Sequence, residues 1–180
     1  MERKDTSRRD GSLRAGDGKR LVTEKEALQR LKSMCAAAEH CRQDALDKMR
    51  SWGVDASCQE SVAQSLVEGG YIDEDRYCRA FVNDKVRFDC WGRRKIEQRL
   101  RAKRIPDGLI EAVLDGVSDD EYIASLSPLL EKKSRSVKAR DSRELGGKLV
   151  KYAAQRGYTM DIIRKCLNNA DWADGLDYYD

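Results

Sequence analysis

Six cysteines, one histidine and several carboxylate pairs are the residues whose types allow chemistry, so their spacing is weighed first. The cysteines stand at 35, 41, 58, 78, 90 and 166, and the single histidine is His40. A structural zinc site needs four ligands at tight spacing, and no Cys-x-x-Cys pair is present. Three disulfides would need an oxidising compartment, and the N-terminal stretch of this sequence has no apolar signal-peptide core. The thiols are therefore expected to be free and buried, acting as small hydrophobes at helix positions. His40 beside Cys41 is read as a polar residue near a helix end, because a nucleophile and its base are seldom adjacent in sequence. Asp73/Asp75 and Asp119/Asp120 sit where helices begin, and capping and the helix dipole account for them. Gly69-Gly70 and Gly146-Gly147 belong to no phosphate-cradling Gly-x-x-x-x-Gly-Lys loop. No catalytic residue, metal or cofactor is expected.

Basic residues are a stronger signal. From Lys85 to Arg104 there are nine bases and two acids, net +7, and from Glu131 to Lys151 eight and three, net +5. The whole chain of 180 residues carries only +3. Two concentrated blocks on a nearly neutral protein point to an anionic partner. The candidate contacts are Arg93, Arg94, Lys95, Arg99 and Arg101 in the first block. In the second they are Lys132, Lys133, Arg135, Lys138 and Arg140. Arg76 and Arg79 are added as flanking candidates, with pairing to Asp73 and Asp75 as the competing use.

Elements must hold these residues in place. The chain is 37% charged with two prolines and 40% hydrophobic residues, the composition of solvated helices rather than a β-sandwich. No stretch approaches the ~20 apolar residues a membrane helix needs. Thr23-Glu24-Lys25-Glu26 and Ser118-Asp119-Asp120-Glu121 are capping boxes. Asp73 is a candidate N-cap, and Gly53 and Gly157 are candidate helix-ending glycines. Tyr77, Phe81, Val82 and Phe88 recur with helical period. No alternating strand is found.

An internal repeat organises the helices. Val54, Ile105 and Tyr158 serve as anchors. Five residues before them lie Met49, Leu100 and Ala153; nine before, Ala45, Ile96 and Leu149. Four after lie Cys58, Leu109 and Ile162; eight after, Val62, Val113 and Cys166; nine after, Ala63, Leu114 and Leu167. Each anchor plugs a helix–turn–helix junction, and one more helix precedes each pair, at 23–38, 73–88 and 119–134. The expected fold is all-α: an elongated, curved array of three tandem three-helix repeats, at 23–70, 71–117 and 118–170. Residues 1–22 read as a disordered basic tail and 171–180 as an acidic tail with three aromatics. Arg104 stands where the other turns have Gly, so that turn is expected to differ or to be strained. The last helix of the middle repeat carries Asp107, Glu111 and Asp115, the wrong charge for reading DNA bases.

Gly70-Tyr71-Ile72-Asp73, Asp75-Arg76-Tyr77-Cys78-Arg79-Ala80-Phe81-Val82, Trp91-Gly92-Arg93-Arg94-Lys95-Ile96 and Leu100-Arg101-Ala102-Lys103-Arg104-Ile105 together resemble the central signature of the RecX family of bacterial RecA regulators. The signature covers 70–117, and the three-repeat layout extends the likeness over 23–170. The family usually has a small residue at the position of Cys78 and often Gly at that of Arg104. The resemblance implies a non-enzymatic, cytoplasmic, monomeric modulator. It would bind RecA and its filament on single-stranded DNA along the filament groove and suppress ATP hydrolysis and strand exchange or promote disassembly. The alternative is a general DNA-binding protein that uses the same basic blocks without RecA. Tyr77, Phe81, Ile96, Leu100 and Ile105 are assigned to the core. Trp91-Gly92 is assigned to a turn, with Trp91 packed inward and a binding contact as its alternative use.

Overall fold

The computed structural model describes residues 22–170. The regions 1–21 and 171–180, with the basic and acidic tails assigned to them, lie outside the described residues. Within the described residues every regular element is a helix, in three sets of three. The first set is α1 (Glu24–Ala37), α2 (Arg42–Ser51) and α3 (Ala56–Glu68). The second is α4 (Glu74–Arg87), α5 (Arg93–Ala102) and α6 (Asp107–Asp115). The third is α7 (Asp119–Ser136), α8 (Ser142–Gln155) and α9 (Met160–Asn168). In each set the third helix packs on both of the others. None of these helices is long and apolar enough to cross a membrane.

The helices start where local chemistry dictates. Thr23 and Ser118 each accept a bond from the amide three residues on, while Glu26 and Glu121 reach back to the cap amides. Asp141 and Thr159 cap α8 and α9 in the same way. Each such cap is worth about 1 kcal/mol.

All three junctions end in one turn. The amides of Val54, Ile105 and Tyr158 donate to Met49, Leu100 and Ala153 at 3.0, 3.2 and 3.3 Å. The amides just before them, of Gly53, Arg104 and Gly157, donate to Arg50, Arg101 and Ala154. This six-to-one and five-to-two pattern needs a left-handed residue at the second place from the end. Gly53, Arg104 and Gly157 supply it at φ 71°, 58° and 88°. The Arg104 turn is therefore the same turn, strained rather than different. Replacing Arg104 by Gly is expected to stabilise the fold by about 0.5–1 kcal/mol. Thermal unfolding should read this as a rise of about 1–4 °C, and a fall would contradict it.

The anchors and the residues five before and eight and nine after them are buried in all three sets, as are those nine before. Four after, Cys58 and Leu109 are only half-buried, and Ile162 is buried. Tyr158, larger than its counterparts, keeps its hydroxyl satisfied by Ser125 Oγ at 2.5 Å, and burial pushes its phenol up to about 12.

The chain forms two compact units divided between Asp73 and Glu74. The first closes a core around Leu31, Met49, Val62, Leu66 and Ile72. The second holds the other two sets, with α4 packed on α7. Here a contact between glycines decides the packing. The Gly92 amide donates to the Arg156 carbonyl at 2.9 Å, and the Arg94 amide to the Gly157 carbonyl at 3.0 Å. The start of α5 thus sits directly on the turn between α8 and α9. A Cβ on Gly92 would lie 2.2 Å from the Tyr158 nitrogen; one on Gly157 would lie 2.4 Å from the Lys95 nitrogen.

Several expectations are corrected. Phe81 is half-buried, not core, and Phe88 is 78% exposed just past the end of α4. Phe88 keeps the helical spacing of Tyr77 but lies outside the core. Buried Cys78 and Val86 fill the α4 core face in their place. Trp91 is half-buried at the start of α5, not packed away. All six cysteines are free, but only Cys41, Cys78 and Cys166 are buried; Cys35, Cys58 and Cys90 are partly exposed.

Candidate anion-binding face

α5 is short and amphipathic. Ile96 and Leu100 are fully buried, and the remaining positions hold five bases, Glu97, Gln98 and Ala102. Arg94, Lys95, Gln98, Arg99 and Ala102 follow at the three- and four-residue spacings that share a helix face. That face, with Ala154, Gln155 and Gly157 at the end of α8, walls an open cleft of about 510 Å³. Among the described residues no carboxylate pairs with Arg94, Lys95 or Arg99, and none lines the cleft.

Trp91 sets the positions of these cations. Lys95 Nζ lies 4.2 Å from its ring centroid, Lys85 Nζ 5.1 Å, and the Arg99 guanidinium carbon 6.0 Å. Each such contact is worth about 0.5–1 kcal/mol at a partly exposed site. Phe81 meets the Trp91 ring edge-on at 6.5 Å and stacks on Tyr77 at 5.8 Å, which ties this plate to the buried face of α4. Sequence reasoning placed Trp91 inside. It missed Lys85, Gln98 and the α8 wall, although a Trp-Gly pair just before Arg-Arg-Lys was a usable signal.

The other two candidate contacts of the first block, Arg93 and Arg101, are neutralised within the fold. Arg93 meets Asp115 at 2.6 Å. Arg101 meets Glu97 and Asp107, both at 2.8 Å, and the hydrogen bond it donates to Asp107 holds its guanidinium above the ordinary value. The acids of α6, which argued against DNA reading, thus have an intramolecular use. On α4, Arg79 forms two bonds to Asp75, at 2.7 and 3.0 Å, and Arg76 is exposed.

The second block is split in the same way. Arg135 pairs with Glu131 at 2.5 Å. Arg140 and Lys148 both hold Glu144, at 3.1 and 2.8 Å, and hydrogen bonds from Lys148 and Arg140 bring that carboxyl down to about 2. Lys133 and Arg156 lie over the Tyr152 ring, at 5.4 and 5.0 Å. Lys132 and Lys138 are exposed and carry no ion partner among the described residues. The structure therefore brings Arg94, Lys95 and Arg99 together in one cleft. It leaves Lys132 and Lys138 separate, on α7 and the following connection.

The buried thiols are not poised as nucleophiles. Burial, then the charges of Asp75 and Glu74, pushes the Cys78 thiol up to about 11. Burial likewise raises Cys166. Cys41 is fully buried, and His40 faces Asp44 at 3.8 Å rather than a thiol. Among the described residues no three His, Cys, Asp or Glu groups cluster to hold a metal.

Two family models match this chain. The RecX second three-helix domain matches residues 73–114, and the RecX third three-helix domain matches 119–167. The regulatory protein RecX of Vibrio parahaemolyticus is 30% identical over 125 residues, covering 69% of this chain and 78% of that relative. The chain belongs to the RecX family. The RecX protein of Halorhodospira halophila is 29% identical over 141 residues, 78% of this chain and 86% of the relative. That of Clostridium tetani is 28% identical over 131 residues, but this chain spans only 60% of its length. A RecX crystal structure from Lactobacillus salivarius superposes with a TM-score of 0.70 at 19% identity, over 83% of this chain and 97% of that one. A second RecX crystal structure gives 0.74 at 18%, over 81% and 73%. These likenesses show the all-α tandem-repeat fold of a RecX regulatory protein.

Proposed function

We propose that this RecX chain is a non-enzymatic regulator that binds RecA and its filament on single-stranded DNA and lowers the filament's ATP hydrolysis and strand exchange. It acts in the cytoplasm as a monomer. Its three repeats, at 23–70, 71–117 and 118–170, serve as successive contacts along the filament groove. The observation that carries the reading is the cleft of Arg94, Lys95 and Arg99, whose charge no described carboxylate offsets. Arg76, Arg79, Arg93, Arg101, Lys133, Arg135 and Arg140 are further candidate contacts outside the cleft lining. Lys132 and Lys138 give a second, weaker point of contact. Several modest contacts on one chain add through effective concentration.

One observation favours a second reading, direct binding of DNA without RecA. The cleft holds forked guanidinium groups among small residues and lacks the large apolar anchor of a protein hot spot. Binding to naked DNA would then fall steeply with salt.

The deciding measurement is ATP hydrolysis by the cognate RecA on single-stranded DNA, with this protein titrated in. The expected result is a progressive drop. Inhibition well below one per RecA indicates capping or disassembly; inhibition near equal amounts indicates groove occupancy. Unchanged hydrolysis at every ratio, with salt-sensitive binding to naked DNA, would overturn the RecA reading and favour the second.

A further inference from the structure

Among the described residues the most exposed large apolar side chain is Phe88, at 78%; no other exceeds 39%. It stands on a hydrogen-bonded turn between α4 and α5. Its amide donates to the Asp84 carbonyl at 2.9 Å, and the Trp91 amide donates to the Lys85 carbonyl at 2.8 Å. Between them Cys90 takes the left-handed backbone, φ 51°, which is unfavourable for a residue other than glycine. The fold thus holds an aromatic ring in water on a strained turn, and the ring adds nothing to the core. Strain of this kind is kept where a function uses it.

The turn adjoins the basic cleft. Trp91, three residues on, carries Lys95 and Arg99 of the cleft over its ring, at 4.2 and 6.0 Å. From α8, Arg156 Nη1 donates to the Asp89 carbonyl at 3.3 Å, and Gly157, next in the chain, lines the cleft. The Asp89 carboxylate, beside Phe88 in sequence, is held by Lys85 at 2.5 Å. An exposed ring therefore neighbours cations that have no acid partner among the described residues. Gln98 and Gln155 add amides, and no large apolar side chain lines the cleft to seat a peptide anchor. A single nucleic-acid strand alternates the two matching groups, a phosphate and an unstacked flat base. A duplex offers the phosphates but keeps its bases stacked inside.

We propose that the Phe88 turn and the cleft together form a track for single-stranded nucleic acid. Arg94, Lys95 and Arg99 hold backbone phosphates, and a base stacks on the Phe88 ring. This rests on the reading of the cleft as a site for DNA phosphate and adds strand selectivity to it, with Phe88 as the selecting residue.

The test is equilibrium binding of the full chain, without RecA, to a thymidine homopolymer of about twenty nucleotides and to a duplex of the same length. Phe88→Ala should weaken single-strand binding by about tenfold and duplex binding by less than about twofold. Its slope of log K against log salt should match that of the unaltered chain, because no phosphate contact is lost. Arg99→Gln should flatten the single-strand slope by about 0.7. Phe88→Trp should keep the affinity and Phe88→Leu should lose it, which separates stacking from plain apolar contact. Phe88 lies outside the core, so these variants leave the packing intact. Equal losses on strand and duplex, or no loss on either, would overturn the stacking role and leave the phosphate reading of the cleft standing. Failure of the unaltered chain to bind either nucleic acid would overturn both, whereas the RecA reading is decided separately by ATP hydrolysis.

Discussion

Replacing Gly92 by alanine is expected to cost the second unit about 4 kcal/mol, among the largest effects a single methyl group can have. The added carbon would lie 2.2 Å from the Tyr158 nitrogen, 2.3 Å from the Gly157 carbonyl carbon and 2.4 Å from its oxygen. All three are backbone atoms, so no side chain can swing aside. Relief requires lifting α5 off the α8–α9 turn. That breaks the Gly92–Arg156 and Arg94–Gly157 hydrogen bonds and opens the wall of the basic cleft. At roughly 2–4 °C per kcal/mol, thermal unfolding should fall by about 8–16 °C. Gly147→Ala is the control. Gly147 is inside α8, and a Cβ there meets nothing within 4 Å. It should gain about 0.5–1 kcal/mol, because helical glycine carries an entropic penalty. Equal unfolding temperatures for the two variants would refute the close approach.

Reversing Arg94, Lys95 and Arg99 together to Glu should weaken binding to the RecA filament by on the order of a hundredfold, about 2.8 kcal/mol. The three cations share the cleft and have no ion partner among the described residues, so their charge is available to a ligand. If that ligand is phosphate, losing three contacts should also flatten the salt dependence, by about 2–3 in the slope of log K against log salt. Arg101→Glu is the informative comparison. Arg101 is occupied by Glu97 and Asp107, so its reversal should change binding by only a few-fold. Such exposed pairs add about 0–1 kcal/mol to stability, so both variants should keep their helicity. Binding that falls equally in the two, or in neither, would remove the cleft from the interface.

Much of the fold was legible because its determinants are local. A capping box lies within four residues, and Thr23–Glu26 and Ser118–Glu121 form as expected. The helix-ending turn spans six residues, so the spacing of Met49 to Val54, Leu100 to Ile105 and Ala153 to Tyr158 recorded its hydrogen bond directly. The same register located most of the core. Arg104 shows how far this reaches: the repeat identified the position, and the structure shows that arginine accepts the left-handed backbone rather than changing the turn.

The site was legible only as a composition. A run of nine bases says that charge is concentrated, not which charges remain free. Asp115 and Asp107 on α6 neutralise Arg93 and Arg101, while the equally basic Arg94, Lys95 and Arg99 point to the other side of α5. A helix rotation of about 100° per residue makes that division, and it follows from which face α6 covers.

Sequence by itself determined the helices, their caps, the three equivalent turns, most of the core register and the resemblance to RecX, since each is written in neighbours a few residues apart. Tertiary structure alone decided that Gly92 must meet Gly157, that Trp91 carries cations rather than filling the core, and that three bases of the first block share a cleft. Those facts rest on contacts between helices far apart in the chain. Excluded volume and charge pairing there depend on where the packed backbones come to lie.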